Sequence, residues 1–119
     1  MKRNKTRIVL ACVVILAAVQ QAIGQAQQIP AAASACMACH GPAALGPSLT
    51  GVVGRKAGSI PGFLYSRVMK GSDITWDEQT LERFIADPQQ VVPGNRMPFA
   101  GLEDAAQRAE VVRYLKTLK

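Results

Sequence analysis

The stretch Cys36-Met37-Ala38-Cys39-His40 decides how the rest of this 119-residue chain is read. Two cysteines three positions apart on a helical turn present both sulfurs on one side, and the adjacent histidine is turned the same way. This is the C-x-x-C-H pattern of covalent haem attachment, in which the sulfurs bond the two vinyl groups of one porphyrin and the histidine binds its iron.

Other chemistries use the same residue types. Structural zinc takes four protein ligands, whereas the chain beyond residue 26 has two Cys and one His, so zinc fails on ligand count. A thioredoxin-like redox pair wants a βαβ setting, and no convincing strand flanks the motif. That reading and a plain structural disulfide stand as alternatives. His40 is the only histidine. With His40 on iron, bis-His ligation and histidine-dependent Ser or Cys catalysis are both excluded.

The second axial ligand then has to be another residue type. Met97 lies in Val92-Pro93-Gly94-Asn95-Arg96-Met97-Pro98-Phe99-Ala100-Gly101, where two prolines and two glycines forbid regular helix and favour a fixed extended loop. Such a loop can hold a thioether against a metal; the alternative is a loop hydrophobe that covers the core. Soft thioether sulfur favours ferrous iron and raises the reduction potential. With His40 and Met97 in place no coordination position is left for substrate, which predicts electron transfer through the haem edge rather than catalysis.

Upstream, Lys2, Arg3, Lys5 and Arg7 precede the unbroken apolar run Ile8 to Val19. These are the charged and apolar regions of a secretory signal peptide. The run is shorter than the roughly 20 residues that span a bilayer. Residues 1–26 are therefore read as a signal peptide, with cuts available after Gly24 or Ala26, and 27–119 as a single domain. Left uncleaved, the same segment would be a membrane anchor. Cys12 after Val9-Leu10-Ala11 resembles a lipoprotein box, but cleavage there would leave almost no apolar core.

Export predicts a periplasmic location. It also removes four of the fourteen basic residues and none of the eight acids, leaving a net charge of +2. Two haem propionates would cancel that, so no nucleic-acid partner is expected.

Pro30 opens a short helix into the motif, and Gly41-Pro42 stops it. Gly41 to Gly62 reads as loops, with Leu45, Leu49, Val52 and Val53 available to cover a haem on the His40 side. Thr75-Trp76-Asp77-Glu78 reads as a capping box for a helix carrying Leu81, Phe84 and Ile85, ended by Asp87-Pro88. Asp104 and Gln107 start a last helix whose Val111, Tyr114, Leu115 and Leu118 form a stripe that docks on the helix leading into Cys36. The fold class is all-α, short helices and long loops around one haem.

The chain resembles the class I cytochromes c, as a bacterial periplasmic relative of mitochondrial cytochrome c. The residues that carry the resemblance are Cys36-Met37-Ala38-Cys39-His40, Gly46-Pro47-Ser48-Leu49, Gly54-Arg55-Lys56, Pro61-Gly62-Phe63-Leu64-Tyr65, Ile74-Thr75-Trp76 and Pro93 to Gly101. The resemblance covers nearly all of Cys36 to Leu118. It implies one haem c bonded through Cys36 and Cys39, with His40 and Met97 as iron ligands. It also implies a hydrogen bond from His40 to the Pro47 carbonyl, and Arg55, Tyr65 and Trp76 as donors to a haem propionate.

The chain departs from the family in several places. The connection from His40 to Pro47 is several residues shorter. Phe84 replaces a tyrosine, Met69 an asparagine and Asn95 a threonine, all near Met97. Gln89-Gln90 replace a lysine pair of the docking ring, and the segment before Cys36 lacks the family's glycine and aromatic.

The function these residues imply is a monomeric, non-enzymatic electron shuttle. Its partners would be a membrane quinol-cytochrome c reductase and a terminal oxidase or reaction centre. An alternative is a dedicated acceptor or subunit of one periplasmic dehydrogenase; a third is a haem enzyme or gas sensor in which Met97 dissociates.

Overall fold

The first helix among the described residues, α1 (Ala31–His40), begins where the fixed φ of Pro30 leads the chain in and ends where the Gly41 N–H turns back to the Met37 carbonyl. The computed structural model describes residues 28–119, so the expected signal peptide and Cys12 lie outside the described residues. Four more helices follow: α2 (Arg67–Gly71), α3 (Glu78–Ala86), α4 (Pro88–Val91) and α5 (Ala105–Leu115). The all-α expectation holds among the described residues, where the one β feature is an isolated antiparallel bridge between Lys56 and Thr75.

That bridge corrects one detail of the sequence reading. Thr75 is engaged with Lys56, and the N-cap of α3 is Asp77, whose side chain accepts from the Thr80 N–H at 2.7 Å. The cap therefore lies two positions after Thr75, inside the expected box. An aspartate is as good a cap as a threonine, and local chemistry did not separate the two.

Asp87-Pro88 ends α3 as expected, but the same pair also starts α4. The Asp87 carboxylate accepts from the Gln89 and Gln90 N–H groups, both at 3.1 Å, and Pro88 sits in the first turn where its missing donor costs nothing. Ser66 caps α2 in the same way, accepting from Met69 N–H at 3.2 Å. Neither short helix carries enough apolar period to be legible in the sequence.

The last helix packs on α1 as expected, and α3 packs on it as well. Ala33 is 1% exposed and stands in the core with Val111, Val112 and Leu115. Ala32 is partly buried against the same core. Val112 joins the stripe, and Leu118 lies past the end of α5, its carbonyl accepting from Gly51 N–H at 2.7 Å. Arg108 ties α5 down by donating to the Leu102 and Glu103 carbonyls and lying 3.7 Å from Glu82 on α3.

Candidate haem site

The helices leave a cavity of about 690 Å³ between α1, α3, α5 and the loops, inside the range of cofactor sites, about 300–1,000 Å³. Its lining is mostly apolar. Cys36, Cys39 and His40 border it from α1, and Met97 borders it from the Pro93–Gly101 loop. Residues more than fifty positions apart thus share one space, as the sequence reading required.

Cys36 and Cys39 are free thiols, so the disulfide alternative is not what the structure holds. Burial pushes the Cys36 thiol above its ordinary value.

The His40 ring is fixed from two directions. Its Nδ1 lies 2.7 Å from the Pro47 carbonyl oxygen, and because a carbonyl only accepts, Nδ1 carries the proton and Nε2 keeps its lone pair for a metal. Gly46 lies against the ring: a Cβ built there would fall 2.7 Å from Cε1 and 2.8 Å from Nδ1. The turn is held by a 2.9 Å hydrogen bond from Gly46 N–H to the Cys39 carbonyl. The short connection from His40 to Pro47 is therefore filled by backbone packed on the ligand. Gly46 was visible only as part of a motif; its contact with the ring was not.

Arg55, Tyr65 and Trp76 all line the cavity, so the structure brings the three proposed propionate donors together. Backbone pairing explains two of them. Trp76 N–H donates to the Arg55 carbonyl at 2.9 Å and Gly54 N–H to the Trp76 carbonyl at 2.8 Å, beside the Lys56–Thr75 bridge. Arg55 spends Nη1 on the Thr50 carbonyl and Nη2 on the Ser48 carbonyl, both at 2.7 Å, and a guanidinium has further donors to offer. Trp76 is buried and packs on Phe84 with ring centroids 4.8 Å apart. Tyr65 packs edge-on against Phe63.

Leu45, Leu49 and Val52 line the cavity as expected, but Val53 does not; it is 37% exposed and points elsewhere. In the tight turns around Gly51 and Gly54, successive side chains diverge, so one of two adjacent valines had to face out. Met69 and Phe84 also border the cavity.

An apolar cavity of this size, two unpaired thiols on its wall and a histidine with its outer nitrogen satisfied define a site for a covalently held haem. The comparisons with known proteins agree. The family model described as Cytochrome c matches residues 25–119. Cytochrome c2 iso-2 of Magnetospirillum molischianum is 51% identical over 94 residues, covering 76% of this chain and 97% of that protein. Cytochrome c2 of Rhodomicrobium vannielii is 49% identical over 87 residues, covering 69% of this chain and 70% of that protein. Among solved structures, cytochrome cH from Methylobacterium extorquens superposes with a TM-score of 0.68 at 40% identity, over 72% of this chain and 91% of that one.

The chain thus belongs to the cytochrome c family, as a class I bacterial c-type cytochrome and monohaem electron carrier with haem c on Cys36 and Cys39.

Proposed function

We propose that this chain is a freely diffusing periplasmic carrier of single electrons in which His40 and Met97 would both hold the haem iron. The observation that carries this reading is the single cavity bordered by Cys36, Cys39, His40 and Met97 together. The haem supplies a one-electron ferric/ferrous couple. The residues around it supply everything else.

His40 offers the lone pair of Nε2, its ring oriented by the Pro47 carbonyl that accepts from Nδ1. Met97 offers a soft sulfur from a loop braced by prolines, and the apolar wall of Met69, Phe84 and Leu81 keeps water away. Both features favour the reduced state. With both residues on the iron, no position would be left for substrate, which supports a carrier over an enzyme.

Arg55 and Arg96 are the charged residues of the cavity wall, and no carboxylate lines it among the described residues. Arg55, Tyr65 and Trp76 are the donors placed to compensate a propionate. Around the opening, Leu45 is 74% and Leu64 83% exposed, with Arg67 and Lys70 exposed close by in sequence. A small apolar rim with a few cations suits brief docking to a quinol-oxidising complex on one side and a terminal oxidase or reaction centre on the other.

Replacing Met97 with Ala tests the core of this reading. The near-infrared sulfur-to-iron band of the ferric protein should vanish, the midpoint potential should fall, and carbon monoxide should bind the ferrous form. An unchanged band and midpoint would sink the ligand assignment.

A further inference from the structure

Two amide side chains tie the Met97 loop to α4. Asn95 is 7% exposed; its Nδ2 donates to the Pro88 carbonyl at 2.9 Å and to the Val92 carbonyl at 2.8 Å, while its Oδ1 accepts from the Met97 N–H at 3.0 Å. Gln89 reaches in from α4. Its Nε2 donates to the Asn95 carbonyl and its Oε1 accepts from Gly94 N–H, both at 3.0 Å.

The anchor itself is rigid. Pro88 is fully buried, and Asp87 caps the helix that carries Gln89. Asn95 uses both donors and its acceptor at once, which a carboxamide can do and a threonine hydroxyl or a carboxylate cannot. Gln89, where the family places a docking-ring lysine, remains exposed, but its amide folds back onto the Gly94 and Asn95 backbone.

We propose that Asn95 and Gln89 are positioning residues that hold Met97 over the cavity and set how rarely its loop swings away. This rests on Met97 being an iron ligand. Opening the loop forfeits these five hydrogen bonds, one of them to the amide of Met97 itself and two of them buried, where each counts most. An added ligand can reach the iron only through the open state, so its apparent affinity reports the open fraction.

The test is imidazole titration of the ferric holoprotein. Asn95→Ala should bind imidazole on the order of tenfold more tightly than the unmutated protein. Asn95→Asp, which keeps the acceptor and loses both donors, should shift in the same direction, and Gln89→Ala by less. Val112→Ala supplies the control: it removes a buried side chain of α5 away from the cavity lining, so it should lower the urea midpoint and leave imidazole affinity unchanged.

Imidazole affinity unchanged in both Asn95 variants, with only the urea midpoint lowered, would overturn the proposal. Amide hydrogen exchange at Met97 in the unmutated protein gives a check that needs no variant: slow exchange supports the brace, and exchange at the random-coil rate refutes it. If the unmutated protein lacks the sulfur-to-iron band, the ligand reading itself has failed. If the band is present and Asn95→Ala leaves imidazole affinity unchanged, only the brace has.

Discussion

His40 Nδ1 donates to the Pro47 carbonyl oxygen across 2.7 Å, and Gly46 closes the turn between them against the imidazole face. One backbone carbonyl therefore chooses the tautomer of the only histidine. The ring cannot rotate without losing that bond or meeting the Gly46 backbone.

Gly46→Ala should force the ring or the turn to shift. Overpacking of this kind costs about 1–3 kcal/mol, to be read as a lower urea midpoint. Because the clash is with the ring, the reduction potential should move as well. A variant of wild-type stability and potential would show that the turn yields without cost.

Replacing Cys36 or Cys39 with Ser leaves one thioether, and replacing both leaves none. Haem in the double variant should extract into acid acetone, and the mass of the polypeptide should fall by that of the haem. Cys39→Ser should disturb the axial spectrum more than Cys36→Ser because Cys39 adjoins His40. Haem retained through extraction in the double variant would refute covalent attachment at these positions.

Leu115 is 4% exposed and lines the cavity from α5. Leu115→Ala should destabilise the protein by about 2–5 kcal/mol, measured by urea unfolding, because the packed helices around it can collapse only in part. A loss well under 1 kcal/mol would mean that the haem pocket tolerates repacking at this wall.

Asp77 sets an acid limit on stability. Hydrogen bonding from Thr80, with Arg83 adding a favourable charge, holds its carboxyl below the ordinary range. The folded value thus lies beneath the unfolded one, about 3.9. Its contribution is complete above that unfolded value and is lost as pH falls through the folded one. Comparing urea midpoints of the wild type and Asp77→Asn between pH 7 and 2 should show the wild-type advantage narrowing below about pH 4. A pH-independent gap would rule out the charged cap.

Much of the architecture was legible because it is local. The start and stop of α1, the end of α3 and the Asp104 start of α5 each follow from a residue acting on neighbours within four positions. The cap of α3 was not, because Thr75 and Asp77 are equivalent by local chemistry and a partner nineteen positions away, Lys56, claims Thr75. The helices α2 and α4 are too short to show a period.

The sequence by itself determined the chemistry: a C-x-x-C-H turn for covalent haem, one histidine and a methionine in a loop barred from helix. It also named the family. What only the tertiary structure decided was how those groups are held. Gly46 lies on the His40 ring, Val53 turns out while Val52 turns in, and Gln89 and Asn95 spend their amides on the Met97 loop. The physical reason is range. Attachment chemistry needs residues at fixed short spacing, whereas ring orientation and loop bracing depend on backbone groups brought together by the fold, and a carbonyl has no identity in the sequence.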